Sequence, residues 1–301
     1  MISSKPFIQR TELIQSIHES VVQSKGFAMG KLGFSEQCLL GYLPFKRKDP
    51  TSVQLKAYEA MLRYHCENQF GVFPTDEDFL QEFAHFYLPH ILQLDILGLF
   101  QAEQEEKIIK DIGLQARFIP YQLTEPDRSI PADDSNCYLR YFNGKKLLFI
   151  SPFSDLLKSR ARKEVYEQVW SNIQKKWFYP WEVHSIEIPY SYGSSTQTHQ
   201  KYHNSINLFD AICEKMETTD FDVALIGAGA LGLPLASYIK KQGKIAISLG
   251  GHLQVLFGIG GGRWNRDEFF KSHYINNAWI EMPEKYHPEN RTKLTDDSAY
   301  W

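Results

Sequence analysis

The chain has 301 residues, 43% apolar and 14% aromatic, enough to bury a large core in one large α/β domain or two small ones. A formal net charge of −3 is close to neutral for this length; it argues against a general binder of nucleic acid or other polyanions and leaves any charge signal local. Four cysteines, Cys38, Cys66, Cys137 and Cys213, stand far apart with no C-x-x-C pair, so neither a zinc ribbon nor a secreted disulfide framework is expected and a reducing compartment is the default.

The start MISSKPFIQRTELIQ lacks a basic segment followed by an apolar one, and no run approaches the roughly 18 apolar residues of a membrane span. The expectation is a cytoplasmic protein with no integral membrane segment, a state compatible with peripheral docking on a membrane. Residues 11–24 read as an amphipathic helix, with Leu13, Ile17 and Val21 at spacing four, and GFAMGKLG reads as a short strand. Helical spacing recurs over residues 52–68 and 75–86, where Thr75 before Asp76, Glu77 and Asp78 reads as an N-cap with acids in the first turn. Residues 123–136, rich in Pro, Asp and Ser, read as a surface loop.

KKLLFISPF, residues 145–153, reads as a buried strand followed by a helix over 154–173. A strand over 183–188, a polar loop over 189–204, a helix over 205–216, a strand over 222–226, a helix over 231–241 and a strand over 244–249 follow. Strands alternating with helical segments predict right-handed crossovers and a mostly parallel sheet flanked by helices in a single α/β domain, residues 1–301. Ligands bind such sheets beyond the carboxyl ends of the strands, here residues 33–36, 151–154, 189–195, 227–229 and 250–252.

The sequence FDVALIGAGALGLPL contains a G-x-G-x-x-G between a strand and a helix. A dinucleotide site also wants an acid about 20 residues on to hold the ribose, yet residues 223–266 contain no Asp or Glu. An NAD-dependent oxidoreductase is therefore the weaker reading, and glycines serving only a tight turn and close packing are the plainest one. The same acid-free stretch carries Lys240, Lys241, Lys244, Arg263 and Arg266, and GIGGGRWNR delivers Arg263 and Trp264 on a glycine-rich tract. Helix starts, free backbone N–H groups and an arginine are the parts of a phosphate or diphosphate site.

The run DVALIGAGALGLPLASYIKKQGKIAISLGGHLQVLFGIGGGRW, with KKLLFISPF upstream, GKLGFSEQ near the start and AYW at the end, resembles bacterial proteins of the GT-D glycosyltransferase fold, sugar transferases of surface polysaccharide or glycoprotein assembly. The likeness runs from about Gly26 to Trp301 and is strongest over the last 80 residues or so. It implies a single Rossmann-like domain that takes a nucleotide-sugar donor, such as a UDP sugar, and a glycan or lipid-linked acceptor. In such enzymes the first strand ends in R-x-G-D-G-E, whose D-x-E carboxylates hold Mn2+ or Mg2+ against the diphosphate. Here the matching residues are Lys31, Leu32, Gly33, Phe34, Ser35 and Glu36, so Phe34 stands where the first carboxylate would be and only Glu36 could bind a metal.

The resemblance therefore leaves two expectations open. Either Glu36 serves as general base or sugar contact while Lys31 and Arg263 stabilise the diphosphate without metal, or the protein binds nucleotide or glycan without catalysis. Glu36 and Lys31 are the candidate catalytic residues. Gly33, Ser35, Ser151, Ser154, Gly227, Gly229, Gly250, Gly251, His252, Arg263 and Trp264 are the candidate substrate contacts. Ser154 also reads as an N-cap, His203 and Asn204 as caps of the next helix, and Trp264, Trp279, Tyr300 and Trp301 as rings able to stack on uracil or sugar or simply to pack. His199 and His203 have i, i+4 spacing but lie in the polar loop, a poor setting for a metal.

Overall fold

The computed structural model describes residues 7–100, 103–126, 136–289, 291 and 300–301. Helix α1 (Arg10–Val22) leads into β1 (Phe27–Lys31); α2 (Phe34–Lys46), α3 (Ser52–His65) and α4 (Glu77–Ile91) precede β2 (Ile96–Leu99), and α5 (Glu103–Ile112) precedes β3 (Arg117–Pro120). Then come β4 (Lys146–Ser151), α6 (Ser154–Arg160), α7 (Lys163–Val169), β5 (Glu182–Glu187), α8 (Thr196–Tyr202) and α9 (Ser205–Glu217). Strand β6 (Val223–Ile226), α10 (Gly232–Lys241) and β7 (Ile245–Ser248) are followed by α11 (His252–Leu256), α12 (Gly262–Asn265) and α13 (Glu268–Tyr274).

All seven strands lie in one parallel sheet of order β3-β2-β1-β7-β6-β4-β5, as the alternating pattern predicts. Interior strands buried on both faces need an unbroken apolar run, which ILGL, KLLFIS, VALI and IAIS supply. The period of two then divides the core: Leu148, Ile150, Ala224, Ile226 and Ala246 pack on one face, Leu147, Phe149, Val223, Leu225, Ile245 and Ile247 on the other. The first face is covered by residues of α2, α4, α9 and α10, the second by residues of α1, α6, α7 and α11 to α13. No helix among the described residues is long and apolar enough to cross a membrane.

Several local expectations are corrected. Strands β2 and β3 fall where no element is expected, because the four buried residues of ILGL carry no period and RFIP fully buries only Phe118 and Ile119. Asp76, not Thr75, caps α4, its carboxylate accepting from the Phe79 N–H at 3.0 Å. The helix expected over 154–173 breaks after Arg160, where Ala161 leaves helical geometry, and resumes as α7. The polar loop 189–204 contains α8. Asn204 caps α9 as expected, accepting from Asn207 N–H at 2.8 Å.

The loop at 123–136 is not simply surface. Residues 127–135 lie outside the described residues, but Thr124 and Glu125 are buried. The Arg10 guanidinium donates to the carbonyls of Leu123, Glu125 and Asn136, the Tyr138 hydroxyl to that of Thr124, and the Lys175 ammonium to that of Pro126. Those donors satisfy backbone acceptors that burial would otherwise leave costly.

Candidate functional site

A cavity of ≈ 540 Å³ opens at the carboxyl edge of the sheet and takes lining residues from beyond every one of its seven strands. That is the position open parallel sheets use for ligands, since the strand ends leave a crevice between loops. Of the expected residues, Lys31, Gly33, Ser35, Glu36, Gly227, Gly229, Gly250, Gly251, His252, Arg263 and Trp264 line it. Ser151 and Ser154 do not: both are fully buried, Ser151 Oγ accepts from the Phe153 N–H at 3.2 Å, and Phe153 rather than Ser154 occupies the cap position of α6. Their neighbours Pro152 and Phe153 form that part of the wall.

Glu36 stands in the first turn of α2, whose N-cap is Gly33. Its carboxylate folds back over the cap; a Cβ on Gly33 would lie 2.6 Å from Oε2. Burial pushes its pKa from the ordinary 4.5 up to about 7, against the opposing pull of the Glu36 and Gly33 backbone hydrogen bonds. The side chain is thus a helix N-terminal acid and a proton acceptor poised near neutrality at once.

Opposite it, the buried Lys31 ammonium is paired with the buried Glu125 carboxylate and lies 4.7 Å from the centre of the Tyr121 ring. His252 Nδ1 is 3.5 Å from the same Glu125 oxygen, and His252 is itself buried. The acid missing between residues 223 and 266 is therefore supplied from beyond β3. Glu125 escaped sequence reading because it sits in a Pro-, Asp- and Ser-rich stretch, where Asp127, Asp133 and Asp134 carry the same charge and nothing local sets it apart. The Tyr121 hydroxyl titrates above the ordinary phenol range, chiefly through burial and then through Glu36, Tyr300 and Glu125, with Arg263 opposing.

The glycines of GAGALG are required by close approach. A Cβ on Gly227 would lie 2.9 Å from the Gly250 carbonyl oxygen, and Gly229, at φ +49°, would bring one within 2.8 Å of the Phe70 carbonyl oxygen. The two glycine turns therefore touch each other and still expose backbone to the cavity. Exposed Arg263 lies over the Tyr300 ring at 4.8 Å, with the buried Trp264 ring 6.0 Å from the same ring. Tyr190 and Tyr192 stack at 5.7 Å, each with the Trp301 ring near it. Trp279 instead packs on Trp170 and Phe270, away from the cavity lining.

Lys240 and Lys241 close helix α10, away from the cavity. Lys240 bonds Asp95 and the Gln93 carbonyl, and Lys244 lies over the Phe221 ring, all at the amino end of the sheet. His199 stacks on Phe73 at 4.2 Å.

The residues present do not fit a carboxylate-held divalent cation. Phe34 fills the first D-x-E position with its ring edge-on to His65, Glu125 is engaged by Lys31 and His252, and no group of three or more His, Cys, Asp or Glu converges among the described residues.

Residues 196–256, running from α8 through the glycine turn and β7 to α11, match the family model GT-D-like, a GT-D fold-like domain. No curated protein matches the chain. Two solved structures are similar: one described as the highly conserved domain of unknown function 1792 with a distinct glycosyltransferase fold, at 13% identity and TM-score 0.41 over 92% of this chain and 95% of that one. The other is a selenomethionine-substituted structure of domain of unknown function 1792, at 12% identity and TM-score 0.41 over 92% of this chain and 97% of that one. No residue role carries across from either. It is through residues 196–256, with the glycine turn among them, that the chain's likeness to the GT-D fold family is established.

Proposed function

We propose that the chain is a glycosyltransferase that moves a sugar from a nucleoside diphosphate sugar to a glycan or lipid-linked glycan acceptor. The observation that carries this reading is a carboxyl group titrating at about 7, Glu36, in the same cavity as two glycine-lined strand ends and an arginine. The diphosphate lies along the two glycine turns, where the Gly227 and Gly250 N–H groups already donate to the Ile150 and Ile226 carbonyls and the N–H groups of Gly229 and Gly251 are the ones turned to an anion, with Arg263 at the mouth and His252 and Lys31 on the floor. Glu36, deprotonated, accepts the proton of the acceptor hydroxyl as its oxygen bonds the anomeric carbon. The bond from that carbon to the diphosphate oxygen breaks, and its electron pair leaves with the nucleoside diphosphate, whose charge Arg263 and the backbone donors stabilise. No step runs through a metal, since Phe34 removes the carboxylate pair that would hold one.

One observation favours a second reading, non-catalytic binding of nucleotide or glycan within a polysaccharide assembly complex: the same Phe34. Thermal shift with UDP, GDP, CMP, their sugars and NAD(H), each with and without Mn2+, followed by long incubation with the sugar nucleotide that binds, tests both. Metal-independent stabilisation by a sugar nucleotide, with its turnover, is the expected result. Stabilisation by NAD(H) alone would sink the transferase reading, and binding without hydrolysis or transfer would favour the second.

A further inference from the structure

Two phenylalanines on the cavity wall are about half exposed, Phe34 at 49% and Phe100 at 50%. They stand beyond adjacent parallel strands, β1 and β2, paired from Met29 and Ile96 to Lys31 and Gly98. Phe34 opens α2, two residues before Glu36, with its ring edge-on to His65 at 4.9 Å. Phe100 stacks on Tyr121 at 4.0 Å with the ring planes 17° apart.

The position of Phe100 is built. Its backbone N–H donates to the buried Glu105 carboxylate at 3.0 Å, and the same oxygen accepts from Gln37 of α2 at 2.8 Å. One carboxylate thereby ties the Phe100 backbone to the helix that carries Phe34 and Glu36.

We infer that Phe34 and Phe100 form an acceptor subsite for a pyranose, whose apolar C–H face lies on the rings while a hydroxyl reaches the Glu36 carboxylate. The inference rests on the transferase reading above and names what that reading lacks, the place of the acceptor. An exposed ring offers a pyranose face an apolar, slightly negative surface, and a carboxylate beside it accepts from hydroxyls; together they match a sugar better than they match an acyl chain, which has no use for the carboxylate. On this view Phe34 is not merely a lost metal carboxylate. It has turned that corner of the site from cation binding to sugar stacking.

The test is saturation-transfer NMR on the full chain with the methyl β-glycosides of glucose, galactose and N-acetylglucosamine, without nucleotide. The expected result is transfer to ring C–H protons of at least one glycoside, with affinity lost by roughly tenfold in F34A/F100A. Phe100→Leu, which keeps an apolar side chain and removes the ring, should lose affinity in the same direction, and far-UV circular dichroism and a melting temperature without ligand close to those of the wild type would show both variants folded. No transfer to any glycoside, or equal transfer in the double variant, overturns the subsite. Sedimentation with phosphatidylglycerol vesicles that depends on the two rings, in place of glycoside binding, assigns them to lipid and also overturns it. If the wild type takes a glycoside but no sugar nucleotide, the donor reading fails and the subsite stands.

Discussion

His252 Nδ1 lies 3.5 Å from Glu125 Oε1, and the Lys31 ammonium meets the same carboxylate oxygen, so one buried acid joins the ends of β1, β3 and β7 beneath the cavity. Replacing Glu125 by Gln removes the carboxylate charge that meets the buried Lys31 ammonium. Loss of one partner of a buried pair costs about 3–5 kcal/mol, so E125Q should unfold at markedly lower denaturant. The double change Lys31→Met with Glu125→Leu should cost less than E125Q alone; equal or greater loss would mean that the pair itself, not the charge imbalance, holds this corner together.

Glu36 sets two pH dependences. As a general base it acts deprotonated, so kcat/KM should rise with pH and level off above about 7, and E36Q should abolish turnover while leaving nucleotide binding intact. Stability runs the other way. The folded pKa of about 7 exceeds the ordinary 4.5, so the folded state holds the proton more tightly, and Glu36 contributes most at low pH and loses that contribution as pH rises through 7. Urea titrations from pH 4 to 8 should show E36Q with a shallower fall than the wild type. An unchanged fall would place the titrating group elsewhere.

Arg263 is exposed and borne on the four-residue helix α12, so Arg263→Ala should leave the fold intact. If its guanidinium meets the diphosphate, calorimetry with the nucleoside diphosphate should show a loss of about 1.5–3 kcal/mol, the range for hydrogen bonds to a charged group. Unaltered affinity would take Arg263 out of the donor site.

Gly227→Ala sets a methyl group against the Gly250 carbonyl oxygen at 2.9 Å, backbone against which no side chain can yield. The strain should lower stability by about 1–3 kcal/mol and weaken nucleotide binding with it, because β6 and β7 would part where the diphosphate is held. Gly33→Ala meets only the movable end of Glu36, so it should fold nearly as well as wild type while shifting the pH midpoint of turnover. A midpoint unmoved in Gly33→Ala would separate Glu36 from the titration.

The sequence by itself determined the parallel sheet and where its ligand edge lies. KLLFIS, VALI and IAIS are unbroken apolar runs because interior parallel strands are buried on both faces, and the glycines after VALI mark the turn because the neighbouring backbone leaves no room for a Cβ. It also brought forward Glu36, His252 and Arg263, since strand ends can be read locally. Only the tertiary structure decided which groups face one another. The four residues of ILGL and RFIP carry no period and no glycine turn follows them as it follows VALI, and nothing local distinguishes Glu125 from the other acids of its Pro-rich stretch. It is buried because Arg10, Tyr138 and Lys175, remote in sequence, satisfy the carbonyls around it, and Lys31 lies against its carboxylate. Apolar periodicity is a property of a segment, whereas desolvation and ion pairing belong to pairs of segments and exist only once the sheet has brought them together.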